Sequence, residues 1–349
     1  MADHFDCFSV LFGRGELYIG GEPFPLGQCA TDILNLDSAV LTELDRRVGG
    51  LIPAAKNLFG EKTDSAARSA QERLNAVWDL IFDLPVYRDL ELDKWSAYNL
   101  FPLLLADQEK LAAALDEHSE AHQMFRRLMD GLEYFPESLR NFRGQVMGML
   151  ELYFDPIKRR GADAYAMAYA QYFSDMRAAG AILPDMNDFE QSFPVQVKFV
   201  PIMKHPAGSG KVILAEQAEF TYLSHFLYTD FYRGLTAGNA PRRCHNCGRY
   251  FLLTEGYNTC YCNNIAPGET ERTCRKVGAH RKEAKERASA TPAQKEYTKV
   301  YNRLKMRKQR GKISVDEWNE AVGKAQDLKE QSERGELSDE ELRRQLEAL

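Results

Sequence analysis

The sequence predicts a mainly α protein with short β hairpins, in which a helical N-terminal domain leads to a small cysteine-rich module and a helical C-terminal extension. Three observations predict it. Apolar residues recur at three- and four-residue intervals through most of residues 33–180, the spacing of one helix face. Five of the seven cysteines fall between positions 244 and 274. After residue 290, glycine stops and serine or threonine caps mark out three further helices.

In chain order, residues 5–26 alternate apolar and polar around Gly13-Arg-Gly15 and Gly20-Gly21, which predicts short strands or a hairpin. A helix is expected over 66–82, where the apolar residues keep helical spacing until Leu84-Pro85. Further helices are expected near 102–116, 120–132, 137–153 and 163–179. Their faces carry Trp78, Phe82, Trp95, Phe125, Tyr134, Phe142, Tyr153, Tyr165, Tyr169 and Tyr172, a stripe read as core packing. Residues 193–200 and 212–214 read as strands, and a helix over about 215–235 leads through Gly238-Asn-Ala-Pro241 to the cysteines. The run His205-Pro-Ala-Gly-Ser-Gly-Lys211 lacks phosphate-loop spacing and has Val212 after its lysine, so it reads as a hairpin turn.

Beyond the cysteines, Thr291-Pro292-Ala-Gln294 supplies an N-cap, a proline at the first helical position and a capping glutamine. Gly311-Lys-Ile-Ser314 and Gly335-Glu-Leu-Ser338 repeat one design, a glycine stop followed by a serine cap with Glu317 or Glu341 three residues later. The expected organisation is a helical domain over 1–190 with an N-terminal hairpin, a strand–helix connector over 191–240, a metal-binding module over 241–290 and a three-helix extension over 291–349.

At 349 residues the chain can bury at least one sizeable core, and its 44% hydrophobic and 28% charged content are ordinary for a globular protein. No basic segment followed by an apolar stretch opens the sequence, and no apolar run approaches the roughly 18 residues of a membrane helix. A cytoplasmic location without membrane contact is expected.

In a reducing compartment clustered cysteines bind metal more readily than they form disulfides. Cys244-His-Asn-Cys247 places two thiolates on one ion across a backbone knuckle, and Gly248 tolerates the positive φ of such a turn. Cys274 follows Thr273, a helix cap, where unpaired amides favour a thiolate. Cys260 and Cys262 are one residue apart, so on an extended strand they face opposite ways. Cys262, at a hairpin end, is the chosen fourth ligand, with Cys260 as the alternative. His280 faces away round the helix and His245 points out of the knuckle. Cys244, Cys247, Cys262 and Cys274 thus predict a closed, structural Zn2+ site in a treble-clef or ribbon-like module, with a metal-free cluster as the competing reading.

The net charge of −6 conceals a localised field. Residues 241–313 hold 18 basic and 6 acidic residues, a balance of +12, between an N-terminal 240 residues at −12 and a C-terminal segment at −6. Arg275, Lys276, Arg281 and Lys282 follow Cys274, and Lys295, Lys299, Arg303 and Arg307 recur at i+4 on the next helix, closed by Arg310. Tyr297, Val300, Tyr301 and Leu304 form a neighbouring apolar stripe, expected to pack on the metal module. Such a pattern suits phosphate contacts, which makes nucleic acid, DNA before RNA, the expected partner. A solvated face, or one paired with Glu317, Glu320 and Asp327, is the competing reading.

The segment Cys244-x-x-Cys-Gly-Arg-Tyr-Phe251, Tyr261-Cys262, Thr273-Cys274-Arg-x-x-Gly278-Ala279, Tyr297-x-x-x-Tyr301 and Arg307-x-x-x-Gly311-Lys-Ile-Ser314 is similar to an uncharacterised bacterial family known only as a domain of unknown function. The Tyr-Cys pair and the Cys before Arg recur in that pattern, which implies Cys262 and Cys274 as ligands. The chain also distantly resembles the CGNR zinc-finger proteins, proposed bacterial transcription regulators with a helical N-terminal domain. It departs from them in its two-residue first spacing and in Cys274-Arg-Lys-Val277 at the place of the name motif. The resemblance implies a regulator-like architecture.

The sequence therefore predicts a zinc-stabilised nucleic-acid-binding protein of transcription regulation. The rival is an interaction or scaffold protein whose basic block meets an acidic partner, with a possible protein partner for the N-terminal domain. No enzyme is expected. His118 and His122 share a helix face, but Glu117 and Glu120 around them mark a solvated surface.

Overall fold

The computed structural model describes residues 5, 7–182, 192–204, 210–255 and 258–349. The expected loop at His205–Lys211 falls largely outside the described residues. The chain divides into two compact units, residues 1–260 and 261–349.

The first unit opens with the strands β1 (Phe8–Phe12), β2 (Glu16–Ile19) and β3 (Glu22–Pro25). Helices α1 (Gln28–Leu34), α2 (Ser38–Glu61), α3 (Asp64–Ile81), α4 (Lys94–Tyr98), α5 (Leu100–Ala106), α6 (Gln108–Leu115), α7 (Glu120–Met149) and α8 (Ala162–Ile182) follow. Then come β4 (Gln196–Met203), β5 (Val212–Phe220), α9 (Leu223–Thr236) and the hairpin β6 (Ala240–Arg243) and β7 (Tyr250–Leu253). The first five strands make one antiparallel sheet in the order β3-β2-β1-β5-β4. Phe8, Val10 and Phe12 of β1 pair with Phe220, Ala218 and Glu216 of β5. Their shared face, with α9, α7 and α3, buries Phe8, Val10, Phe220, Phe226, Phe142 and Trp78 in one core.

Three helical expectations change. The expected helices at 120–132 and 137–153 are one helix, α7, with Pro136 buried inside it. The missing N–H of a proline costs one bond, but Leu132, Phe135, Leu139 and Phe142 continue a single buried face across it, and that burial outweighs the loss. The expected helix over 102–116 divides at Asp107, whose carboxylate accepts from the amides of Glu109 and Lys110 and caps α6. Residues 215–220, expected as helix, form the end of β5, because Ala215 and Ala218 sit buried between β1 and β4. Tertiary pairing there overrides the helix propensity of Ala, Glu and Gln. Most of the aromatic stripe is core, with Trp95 (67% exposed) and Tyr134 (50%) as exceptions.

Asp230, fully buried on α9, fixes the start of α1. It accepts from the amides of Gly27 (2.7 Å) and Ala30 (3.0 Å), taking the place of a local side-chain cap. Asp230→Ala strands two buried donors and is expected to lower stability by about 3 kcal/mol in urea denaturation. Burial pushes this carboxyl up to about 6. Folding therefore takes up a proton between the ordinary carboxylate value and about 6, so the contribution is fullest below that window and is lost as pH rises through it. The stability gap between wild type and variant is expected to narrow from pH about 4 to about 7.

Asn35, just past α1, holds the β6–β7 hairpin. Its Nδ2 donates to the Tyr250 carbonyl (2.8 Å) and its Oδ1 accepts from the Tyr250 amide (2.7 Å), so one side chain serves as the neighbouring strand of β7.

In the second unit, α10 (Cys274–Ser289) precedes α11 (Pro292–Gln309), α12 (Val315–Glu333) and α13 (Asp339–Glu347). The caps fall where the sequence places them. Thr291 accepts from Gln294, Ser338 accepts from Glu341, and Ser314 with Glu317 closes a full capping box. Gly311 (φ 66°) and Gly335 (φ 78°) take the left-handed turns that end the preceding helices. Ala293, Val300, Leu304, Ala325, Leu342 and Leu346 form the core of this bundle, with Tyr297 and Trp318 against it. The apolar stripe of α11, expected on the metal module, is thus spent on α12 and α13.

Candidate metal centre

The knuckle grows from the β6–β7 hairpin. The Cys244 amide donates to the Arg249 carbonyl (2.8 Å) and the Gly248 amide to the Cys244 carbonyl (2.9 Å). This closes a turn that Gly248 completes at φ 75°. The His245 amide donates to the Cys260 carbonyl (2.9 Å), and the residue itself is exposed.

Cys262 and Cys274 lie at the two ends of a short antiparallel turn. Ile265 bridges Thr273, the Ala266 amide donates to the Arg272 carbonyl (2.9 Å), and the Cys274 amide donates to the Asn264 carbonyl (2.8 Å). The Arg275 amide reaches the Cys262 carbonyl (3.0 Å). Thr273 caps α10 by accepting from the Lys276 amide, so Cys274 stands in the first turn. The ring of Tyr261 lies against Gly278, where a Cβ would come within 2.4 Å of it.

The sulfurs of Cys244, Cys247, Cys262 and Cys274 all lie within 4.8 Å of one another. Cys244, Cys262 and Cys274 are buried and Cys247 is half-buried. Four thiolates around a zinc ion at about 2.3 Å would stand about 3.8 Å apart, so the donor set and its spacing fit such an ion with modest contraction. The fit is to a closed, all-sulfur site. Cys260 stands outside it, and its sulfur accepts from Nη2 of Arg242 at 3.1 Å.

The part of the chain that holds this centre is recognisable. Residues 190–349 match a family of unknown function (DUF6076). No curated protein and no solved structure matches the chain. The DUF6076 region thus takes in β4 and β5, the hairpin, the four cysteines and the C-terminal bundle.

All nine cations singled out in the sequence are exposed, but they divide by use. On α10, Arg275 and Lys276 make no ion pair among the described residues, and Arg281 and Lys282 lie on the same helix. On α11, Lys299 pairs with Glu296 (2.8 Å), which also faces Arg343 (3.4 Å). Arg303 donates to the carbonyls of Leu346 (3.0 Å) and Glu347 (3.3 Å), and Arg307 to that of Leu349 (2.9 Å). These two arginines satisfy the open carbonyls at the end of α13, where a cation also meets the negative end of the helix dipole. Among the described residues no ion pair joins them to Glu317, Glu320 or Asp327. The i+4 row gave no sign of this use, because the carbonyls belong to a helix about forty residues on. Lys295 and Arg310 make no ion pair among the described residues.

No helix among the described residues is long and apolar enough to cross a membrane.

Proposed function

We propose that the DUF6076 region is a zinc-stabilised nucleic-acid-binding module, serving transcription regulation in the reducing interior of a bacterial cell, with α10 as its principal phosphate-contacting helix. The observation that carries the reading is the run of exposed cations Arg275, Lys276, Arg281 and Lys282 on the helix that opens at Cys274. A metal at the four sulfurs would fix the start of that helix, and four thiolates favour zinc over harder ions. Arg303 and Arg307 are assigned to holding α13, which narrows the expected interface to α10 with Lys295 and Arg310.

The test is a salt titration of DNA and RNA binding by the full chain. Binding is expected to weaken steeply between about 50 and 200 mM salt. Replacing Arg275, Lys276, Arg281 and Lys282 with alanine should flatten the slope of log K against log salt by about one for each phosphate that no longer meets a cation. Affinity untouched by those four changes, or no binding at the lowest salt, overturns the reading.

The second reading, a protein-interaction module, is favoured by a different surface. Phe199 (64% exposed), Met203 (52%), Val212 (61%) and Leu214 (69%) stand together on the β4–β5 ribbon, and exposed apolar clusters of this kind suit protein partners. Absent nucleic-acid binding together with self-association that Phe199→Ser and Leu214→Ser abolish would favour it.

A further inference from the structure

Helices α2, α6 and α7 surround a cavity of about 610 Å3 that opens to solvent on one side. Ala55 and Phe59 of α2, and Phe125 and Met129 of α7, are each four residues apart and so share a helix face on opposite walls. Ala114 of α6 lines the third side, and among the described residues it is the one buried residue of that helix. The two walls belong to the main core through Ala55, Leu58, Met129 and Leu132, so the cavity has a packed floor.

The α6 wall is tied to α7 by two side chains. Ser119, the N-cap of α7, donates its hydroxyl to the Ala113 carbonyl. His122, expected on a solvated face, is half-buried, and its Nδ1 stands 2.8 Å from the Ala114 carbonyl. A carbonyl only accepts, so Nδ1 carries the proton and Nε2 is left as the ring's second hydrogen-bonding position.

The lining is aromatic where it is deepest. Phe59 and Phe125 meet edge to face at 5.1 Å, and both stay half-buried, so ring carbon remains open to the cavity. The rim is charged and unbalanced. Arg126 faces Asp130 at 3.7 Å, which spends one charge of each sign. Of the rest, Glu117 and Glu133 are exposed carboxylates and Lys56 is the one cation, and none of the three makes an ion pair among the described residues.

We infer that this cavity is a binding site for a flat aromatic cation of drug size. Its volume lies within the roughly 300–1,000 Å3 of small-molecule sites, and apolar walls with a few polar groups are their usual lining. The third wall makes it a pocket rather than a trough for a helix. Two aromatic rings suit a planar apolar body, and they also attract a positive charge over their faces. The carboxylate excess at the mouth favours a cation, whereas an anion of the same shape would bring its charge to Glu117 and Glu133. The site lies wholly within residues 1–260, so it stands or falls apart from nucleic-acid binding by α10.

The test titrates the full chain, freed of nucleic acid, with berberine, an aromatic cation whose fluorescence rises in apolar surroundings. Anilinonaphthalenesulfonate, an aromatic anion, is the matched control. One equivalent of berberine is expected to bind with a Kd of about 10 μM. Ala114→Phe puts a ring into the cavity and should abolish binding. The pair Glu117→Gln and Glu133→Gln should weaken berberine about fivefold at low salt and leave the anion no weaker, as exposed carboxylates do. Should Ala114→Phe fail to fold by circular dichroism, the glutamine pair decides, since both positions are exposed. No berberine binding, undiminished binding in a folded Ala114→Phe, berberine affinity unmoved by the glutamine pair, or the anion bound as tightly as the cation overturns the inference.

Discussion

Stripping the metal from the purified protein with a strong zinc chelator is expected to melt residues 261–289 while the helical body and the C-terminal bundle stay folded. Among the residues between Tyr261 and Ser289 whose burial is described, few are buried: Cys262, Ala266, Cys274, Val277 and Gly278. One isolated bridge and a handful of main-chain bonds complete the turn before α10. That is too little apolar area to offset the entropy of ordering the segment. Structural zinc in comparably small modules contributes roughly 10–16 kcal/mol of folding free energy, far more than any other interaction available here. By contrast α11–α13 carry their own core, and the β6–β7 hairpin is bracketed by Asn35.

Hydrogen exchange therefore gives an asymmetric expectation. Cys274→Ser and Cys262→Ser should deprotect α10 by several orders of magnitude. Cys247→Ser should do the same to α10 while leaving the amides of Tyr250–Leu253 protected. Equal protection of residues 261–289 with and without metal would sink the proposed role of the ion. Cys260→Ser is the control, since its sulfur answers Arg242 and stands outside the group of four.

The sequence was most informative where a local rule acts alone. Glycine and serine punctuation placed α12 and α13, because capping needs only residues within one turn of each other. The two-residue spacing of Cys244 and Cys247, and the Thr273 cap before Cys274, pointed to the sulfurs the fold gathers, because a knuckle and a helix start are likewise local. What stayed hidden depends on distant partners. Residues 215–220 read as helix until β1 and β4 claimed them, and Arg303 and Arg307 read as free cations until α13 returned its carbonyls to them.

The same dependence on distance makes Gly234 a sensitive backbone position. A Cβ there would stand 2.9 Å from the Cα of Gly27 and 3.1 Å from the Leu26 carbonyl oxygen, both main-chain atoms. Gly27 cannot yield, because it sits at φ 89° and donates to Asp230, one turn before Gly234 on α9. Gly234→Ala is therefore expected to cost about 3 kcal/mol even though alanine is the better helix former by about 1 kcal/mol. Gly144→Ala supplies the comparison: that exposed position in α7 has nothing within 4 Å of its added carbon, and the change should be neutral or stabilising. The loss at Gly234 should also travel. A displaced α1 carries Asn35 with it, Asn35 brackets Tyr250, and Tyr250 anchors the strand that follows Cys247. The proposed zinc ion should accordingly pass to a competing chelator faster from Gly234→Ala than from wild type or Gly144→Ala. A Gly234→Ala protein as stable as Gly144→Ala would show that α9 and the Gly27 turn are not in the backbone contact described.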